Sequence, residues 1–219
     1  MQSQTHAPKI DTPRLAHLEP GDFDAVEAHE YYEGQRYEAA NAEGRDLQGV
    51  TFTECEFLSL TSGDKLDLRA AGIIESRFER LNAPTFQALR SRWRDVTIES
   101  SRLGFADFAE SSLHSMHFIN CKLGFVNLRA SSVQDVLFTN CTIDEIDLGG
   151  AKTNRVSFVD TEVGTLDVTR ATLKHTDLRG LLMRKIVGLE GLRGATMSDY
   201  QITQLAPLFA AQIGIQVAG

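Results

Sequence analysis

Between Ser91 and Gly150 the sequence reads SRWRDVTIES SRLGFADFAE SSLHSMHFIN CKLGFVNLRA SSVQDVLFTN CTIDEIDLGG, and an apolar residue returns at every fifth position. Stepping by five from Trp93 gives Ile98, Leu103, Phe108, Leu113, Phe118, Leu123, Leu128, Val133, Phe138, Ile143 and Leu148. The same step continues through Thr153, Phe158, Val163, Val168, Leu173 and Leu178, and only Thr153 is polar. A five-residue period matches neither the alternation of a strand nor the roughly 3.6-residue turn of a helix, so the chain is a repeat architecture.

Two residues before each centre, size alternates. Ser91, Ser101, Ser111, Cys121, Ser131, Cys141, Ala151, Thr161 and Ala171 are small, whereas Val96, Met116, Val126, Val136, Ile146, Val156 and Leu166 are bulky; Ala106 and Thr176 are exceptions. The true period is therefore ten. If each unit forms one side of a coil, an odd number of sides would stack bulky on small. A four-sided coil of twenty residues avoids this and places Phe118, Phe138 and Phe158 in one column and Cys121 and Cys141 in another.

At Ala106-Asp107-Phe108, Val126-Asn127-Leu128, Ile146-Asp147-Leu148 and Thr176-Asp177-Leu178 the chain resembles the pentapeptide-repeat family. That family's motif is a small residue, Asp or Asn, Leu or Phe, then two variable positions. The resemblance implies an all-β solenoid, a right-handed quadrilateral β-helix. It also implies a partner class, since members include quinolone-resistance proteins that bind DNA gyrase as mimics of DNA.

Read along the chain, residues 1–29 lack the period and hold Pro8, Pro13 and Pro20, which predicts an irregular N-terminal cap. There Ile10, Leu15 and Leu18 would cover the open end of the first coil, and residues 22–30 would form a short helix. About eight coils of twenty residues are expected over 30–197, a rod of about 40 Å at about 4.8 Å per coil. The early centres Tyr32, Tyr37, Ala42, Leu47, Phe52 and Phe57 are out of phase with Leu68, Ile73 and Phe78 by one residue. The turn-like Thr61-Ser62-Gly63-Asp64 is the expected bulge. Weak centres Ala83 and Ala88 beside Pro84 predict a distorted side at 82–90.

Residues 198–219 read as a C-terminal helical cap or dimerisation segment. Ser198 and Gln201 have capping-box spacing. Ile202, Leu205, Ala206, Phe209 and Ile213 share a helical face, Pro207 predicts a kink, and Ile213, Ile215 and Val217 alternate like a terminal strand. This end either seals the core or joins two protomers through Ile202, Leu205, Phe209, Ile213 and Ile215.

The formal net charge of −8 is unevenly spread. Residues 1–44 carry nine acids and three bases, a net −6, while Arg45 to Met197 holds twenty acids and nineteen bases. Seven acids against Lys152 and Arg155 lie between Asp135 and Asp167, and six arginines against Glu79, Asp95 and Glu99 lie between Arg77 and Arg102. No leader or membrane-spanning run is read, so a cytoplasmic location is expected. Cys55, Cys121 and Cys141 lack metal-ligand spacing; Cys121 and Cys141 are within disulfide reach or are buried fillers.

A filled solenoid offers no concave catalytic site, so the reading is no enzyme, no cofactor, no metal, and neither nucleic acid nor membrane as direct partner. His114 follows the centre Leu113 and His117 precedes the centre Phe118, so both are expected to point outward. The surface candidate is the column just before one set of centres: Asp67, Gln87, Asp107, Asn127, Asp147 and Asp167. Its carboxylates Asp67, Asp107, Asp147 and Asp167 either imitate a line of DNA phosphates or accept the backbone hydrogen bonds that hold each corner. Two functions follow. One is a DNA mimic on a type II topoisomerase such as DNA gyrase. The other is a rigid adaptor binding another protein through residues 59–66 and 82–90.

Overall fold

The structure, a computed structural model, describes residues 5–216. Its strands stack in parallel with a step of twenty. Trp93 pairs with Leu113, Leu113 with Val133, Val133 with Thr153 and Thr153 with Leu173, while Ile98, Phe118, Phe138 and Phe158 form a second such line. The five-residue period thus becomes one side of a coil, and the chain is a parallel β-solenoid of about 9 turns with one C-terminal helix. In the first coil two adjoining sides are separate strands, Tyr31–Glu33 and Gln35–Glu38, either side of Gly34 (φ 65), and the other two sides are marked by the bridges of Asn41 and Asp46 to the next coil. Higher up, the two sides merge into single bent strands such as Arg92–Glu99, and the opposite two sides form Arg102–Asp107 and its successors. Accordingly there are two sheets among the described residues, of 13 and 7 strands.

Three of the four corners turn on a left-handed residue two places after a centre: Asp95, Ser100 and Glu110 in one coil, with φ between 51 and 56. The fourth turns differently, through the column that holds Gly104, Gly124 and Gly164. There the coils approach so closely that a Cβ on Gly124 would lie 2.1 Å from the carbonyl oxygen of Gly104. Glycine removes that collision.

Centres and the residues two before them fill the interior, leaving Trp93, Phe108, Phe118 and Phe138 at most 2% exposed. Rings stack up one side: Tyr37 on Phe57 (5.1 Å), Phe57 on Phe78 (4.5 Å), Phe118 on Phe138 (4.8 Å) and Phe138 on Phe158 (5.1 Å). Ile98 interrupts the series, and the gap is bridged by Trp93, which packs on Phe78 and Phe108, and by Phe108, which packs in turn on Phe118. Cys121 and Cys141 are free thiols, each donating to the carbonyl of the coil below, Ile98 and Phe118 respectively.

The extra residue lies in the expected bulge. Asn41 pairs with Thr61, a step of twenty, but Asp46 pairs with Asp67, a step of 21. From above, Thr61 pairs with Asn82 and Lys65 with Thr85, so the inserted residue falls within Ser62-Gly63-Asp64.

Several expectations are corrected. Residues 82–90 are not distorted: Asn82–Gln87 is a regular strand, and Pro84 is exposed within it. Bulk has simply changed places, since Phe86 is buried beneath Ala106 while the small centre Ala88 leaves room for Phe108, whose ring packs on Phe86 at 5.5 Å. The solenoid begins before residue 30, because Glu19–Pro20 pairs with Gln35 and Arg36 and adds a partial turn to the eight expected. Phe23 and Val26 close that end; Ile10, Leu15 and Leu18 are only half-buried, and the expected helix at 22–30 is one 3-10 turn, Phe23–Ala25. Finally, Pro207 does not divide the C-terminal helix α1, Asp199–Gln212. Thr203, whose carbonyl Pro207 cannot serve, is exposed and can be solvated. Ile213 and Gly214 turn and Ile215 is in no strand; Val217 lies outside the described residues.

Candidate partner-binding surface

The carboxylate column runs up one side, with Asp46, Asp67 and Gln87 in register below and Asp107, Asn127, Asp147 and Asp167 above. Every Asp and Asn of the column accepts the backbone N–H two residues on, and Gln87 alone does not. Asp107 Oδ1 accepts from Ala109 (3.1 Å), Asn127 from Arg129 (3.1 Å), Asp147 from Gly149 (2.7 Å) and Asp167 from Thr169 (2.8 Å). This is how short polar side chains hold a turn. The same residues therefore shape the corner, whatever else they do.

Their charges are not equally free. Asp67 is 4% exposed and chelated by Arg69 Nε and Nη2 (2.8 Å each) with Lys65 Nζ at 3.2 Å. Burial alone would raise its pKa, but Arg69 and Lys65 hold the carboxyl below the ordinary range. Asp147 is buried at 7% and binds Arg129 Nη1 at 2.8 Å. Asp107 accepts from the amide of Asn127 at 2.9 Å.

Nearby acids are less encumbered. Asp144 and Glu162 are exposed, Glu145 and Asp167 half-buried, and no Lys or Arg forms an ion pair with these four among the described residues. Thr142 pairs with Glu162, Glu145 with Thr165 and Asp147 with Asp167, so all lie on two neighbouring coils and two adjoining sides. The periodic column alone did not single out Asp144, Glu145 and Glu162, which occupy other register positions.

At the C-terminal end, Ser198 Oγ accepts from the Gln201 N–H and Gln201 returns the bond, completing the capping box. Gln201 Nε2 also donates to the carbonyls of Leu178 and Leu181, seating α1 on the last coil. Leu205 packs on the core and Phe209 is half-buried, whereas Ile202 (45%), Ile213 (74%) and Ile215 (56%) remain exposed. Between α1 and the coil is an open cleft whose walls include Asp144, Glu162, Arg184, Leu182 and Leu208.

His114 is exposed; His117 is half-buried, with Nε2 2.9 Å from Thr139 Oγ1, and burial lowers its pKa. Among the described residues no three His, Cys, Asp or Glu side chains gather to hold a metal ion, and no helix is long and apolar enough to cross a membrane.

A parallel four-sided coil with a filled interior and turn-forming Asp or Asn before every fourth centre defines a β-solenoid built from five-residue units. Residues 91–168 and 111–186 match the family model described as the pentapeptide repeat region, so the stretch 91–186 is a pentapeptide repeat region. Among solved structures the chain is similar to full-length QnrB1, a plasmid-mediated fluoroquinolone resistance protein (17% identity, 90% of this chain, 95% of that chain, TM-score 0.34). It is also similar to HetL, a pentapeptide-repeat protein involved in heterocyst differentiation regulation from the cyanobacterium Nostoc sp. (15% identity, 78% and 91% of the two chains, TM-score 0.31). No curated protein matches the sequence.

Proposed function

We propose that this is a non-enzymatic binding rod of the cytoplasm that docks on a basic protein surface as a mimic of DNA, the partner being a type II topoisomerase such as DNA gyrase. The observation that carries the proposal is the strip formed by Asp144, Glu145, Glu162 and Asp167. Four carboxylates without ion-pair partners on two neighbouring coils form a concentrated negative field on a rigid scaffold. Family resemblance supplies the partner class. Asp67 and Asp147 contribute less, because Arg69 and Arg129 already neutralise them; Asp107 and Asp167 are the members of the column that extend the strip.

In this reading α1 joins two copies end to end through exposed Ile202, Ile213 and Ile215, with Phe209 at the margin and Leu205 holding the helix to its own coil. The adaptor alternative loses one of its two binding loops, since 82–90 is a regular side.

The test is a gyrase supercoiling assay with and without a fluoroquinolone at several salt concentrations. Inhibition or drug protection at micromolar protein, weakening with salt, is expected, with loss in a Asp144→Asn/Glu145→Gln/Glu162→Gln/Asp167→Asn variant. No effect on gyrase or topoisomerase IV overturns the proposal.

A further inference from the structure

The three left-handed corners share one backbone geometry, yet one of them is covered. In the coil that contains Val133, Asp135 is 1% exposed, whereas its counterparts Asn140 and Gly150 are exposed. One coil below, Ser115 is 0% exposed beside exposed Asn120 and Ala130. What covers this corner is the chain's own N-terminal segment. Residues 5–18 run outside the solenoid from its last coil toward its first: Thr5 hydrogen-bonds Thr196, His6 lies 4.4 Å from the ring of His175, and the segment then enters the first strand at Glu19. Between these ends, Lys9 N–H donates to Asp135 Oδ1 and Asp11 N–H to Ser115 Oγ, each at 2.9 Å. Two residues of extended strap therefore correspond to one coil, and each of these two coils offers a side-chain acceptor.

The strap uses this corner sparingly. At the alternate spacing of Lys9 and Asp11 the next donor toward the first coil would be residue 13, and Pro13 has no N–H, so the donor series ends there. Asn154, in register with Gln134 beside Asp135, keeps a buried Oδ1 without a hydrogen-bond partner among the described residues. A buried acceptor in that state favours any occupant that brings a donor.

We propose that this corner is a docking site for an extended peptide segment of a protein partner, and that residues 5–18 occupy it in cis until displaced. The matching occupant offers backbone N–H groups at alternate residues and lacks proline where the strap has Pro13. Recognition is by main-chain donors on a ladder of side-chain acceptors, which differs from the negative field of the opposite sides. The site is independent of the gyrase reading.

The experiment is fluorescence anisotropy with a labelled synthetic peptide of residues 5–17, titrated with the full chain and with a full-chain Lys9→Pro/Asp11→Pro variant. The variant loses both strap donors while leaving the corner intact. It is expected to bind the peptide at least tenfold more tightly than the unaltered chain, and to be cut by protease within residues 5–17 under conditions where the unaltered chain resists. A peptide carrying Pro13→Ala is expected to bind more tightly still. Adding Ser115→Ala or Asp135→Ala to the receiving chain should weaken binding at least fivefold; if Asp135→Ala does not fold by circular dichroism, Ser115→Ala decides. Absence of peptide binding to the variant, binding indifferent to Ser115→Ala, or a variant strap that stays protease-resistant each overturns the proposal.

Discussion

Arg155 grips Asp135 from one coil further along the chain, Nε to Oδ1 and Nη2 to Oδ2, both at 2.5 Å, while the Lys9 amide reaches the same Oδ1 from outside. One carboxylate thus ties two coils and the N-terminal strap together. Burial alone would raise its pKa, but Arg155, the Lys9 amide and Gln134 hold it below the ordinary carboxylate range. Removing these bonds with Asp135→Ala should lower stability by about 1–3 kcal/mol. Urea unfolding of the two proteins at neutral pH measures this, and an unchanged midpoint would show that the pair contributes nothing net.

The same carboxylates set the acid limit. Asp67 and Asp177 also have lowered pKa values: Asp67 against the opposing effect of burial, Asp177 chiefly through Arg179. A folded-state pKa below the unfolded value of about 3.9 adds stability that is present above that value and lost as pH falls through the folded one. Urea midpoints should therefore stay level from about pH 5 to 7 and decline below about pH 4. In Asp135→Asn that decline should be shallower.

Register makes a sharper prediction. Because the extra residue lies within Ser62-Gly63-Asp64, deleting Gly63 restores the twenty-residue step and should leave circular dichroism and the melting temperature nearly unchanged. Deleting Asn120 from a regular coil should prevent folding, since every later centre in that coil would rotate out of the core. If both deletions behave alike, the register does not control the fold in this way.

Much of this was legible because the period is long and repeated. Trp93 to Leu178 declares the sides, the size alternation declares their number, and the phase change from Phe57 to Leu68 declares the insertion. Residues 82–90 misled because Ala83 and Ala88 were judged singly, whereas the interior is filled by vertical neighbours. Phe86 and Phe108 make up the volume that two alanines omit. The strap was not legible at all: residues 5–18 have no period, and their partners Ser115 and Asp135 look in sequence like any other corner residues. The acidic strip was half legible, as charge between Asp135 and Asp167 but not as a place on two sides of the rod.

The ring column can be tested by truncation. Phe138 stacks between Phe118 and Phe158 and is 2% exposed, so Phe138→Ala should cost about 3–5 kcal/mol. Phe138→Leu, which retains most of the volume, should cost less, and thermal unfolding distinguishes them. Equal losses would mean that stacking geometry rather than volume dominates.

The buried thiols should be silent. Burial pushes the Cys55 thiol up to about 11; the contact between Cys121 and Cys141 raises Cys121, which burial raises further, and lowers Cys141, while all three thiols are buried out of reach of a reagent. At pH 8 the native protein should react with a thiol-specific disulfide reagent far more slowly than the urea-unfolded chain, which exposes all three cysteines. Rapid reaction of one equivalent in the native state would contradict this burial.

Corner and partner roles of the carboxylate column separate through amide substitution. Asp107→Asn and Asp167→Asn keep an acceptor for the N–H of Ala109 and Thr169 while removing charge, so the fold should persist with little change in melting temperature. The measurement that bears most directly on function is the equilibrium dissociation constant for purified gyrase, determined at about 50 and 200 mM salt. It should be made for the unaltered chain and for Asp144→Asn/Glu145→Gln/Glu162→Gln/Asp167→Asn. Binding that weakens at least tenfold with salt in the unaltered chain, and falls in the variant to a weak level that salt barely alters, is the predicted result. Absence of binding, or equal binding by both proteins at both salt concentrations, would contradict docking through the acidic strip.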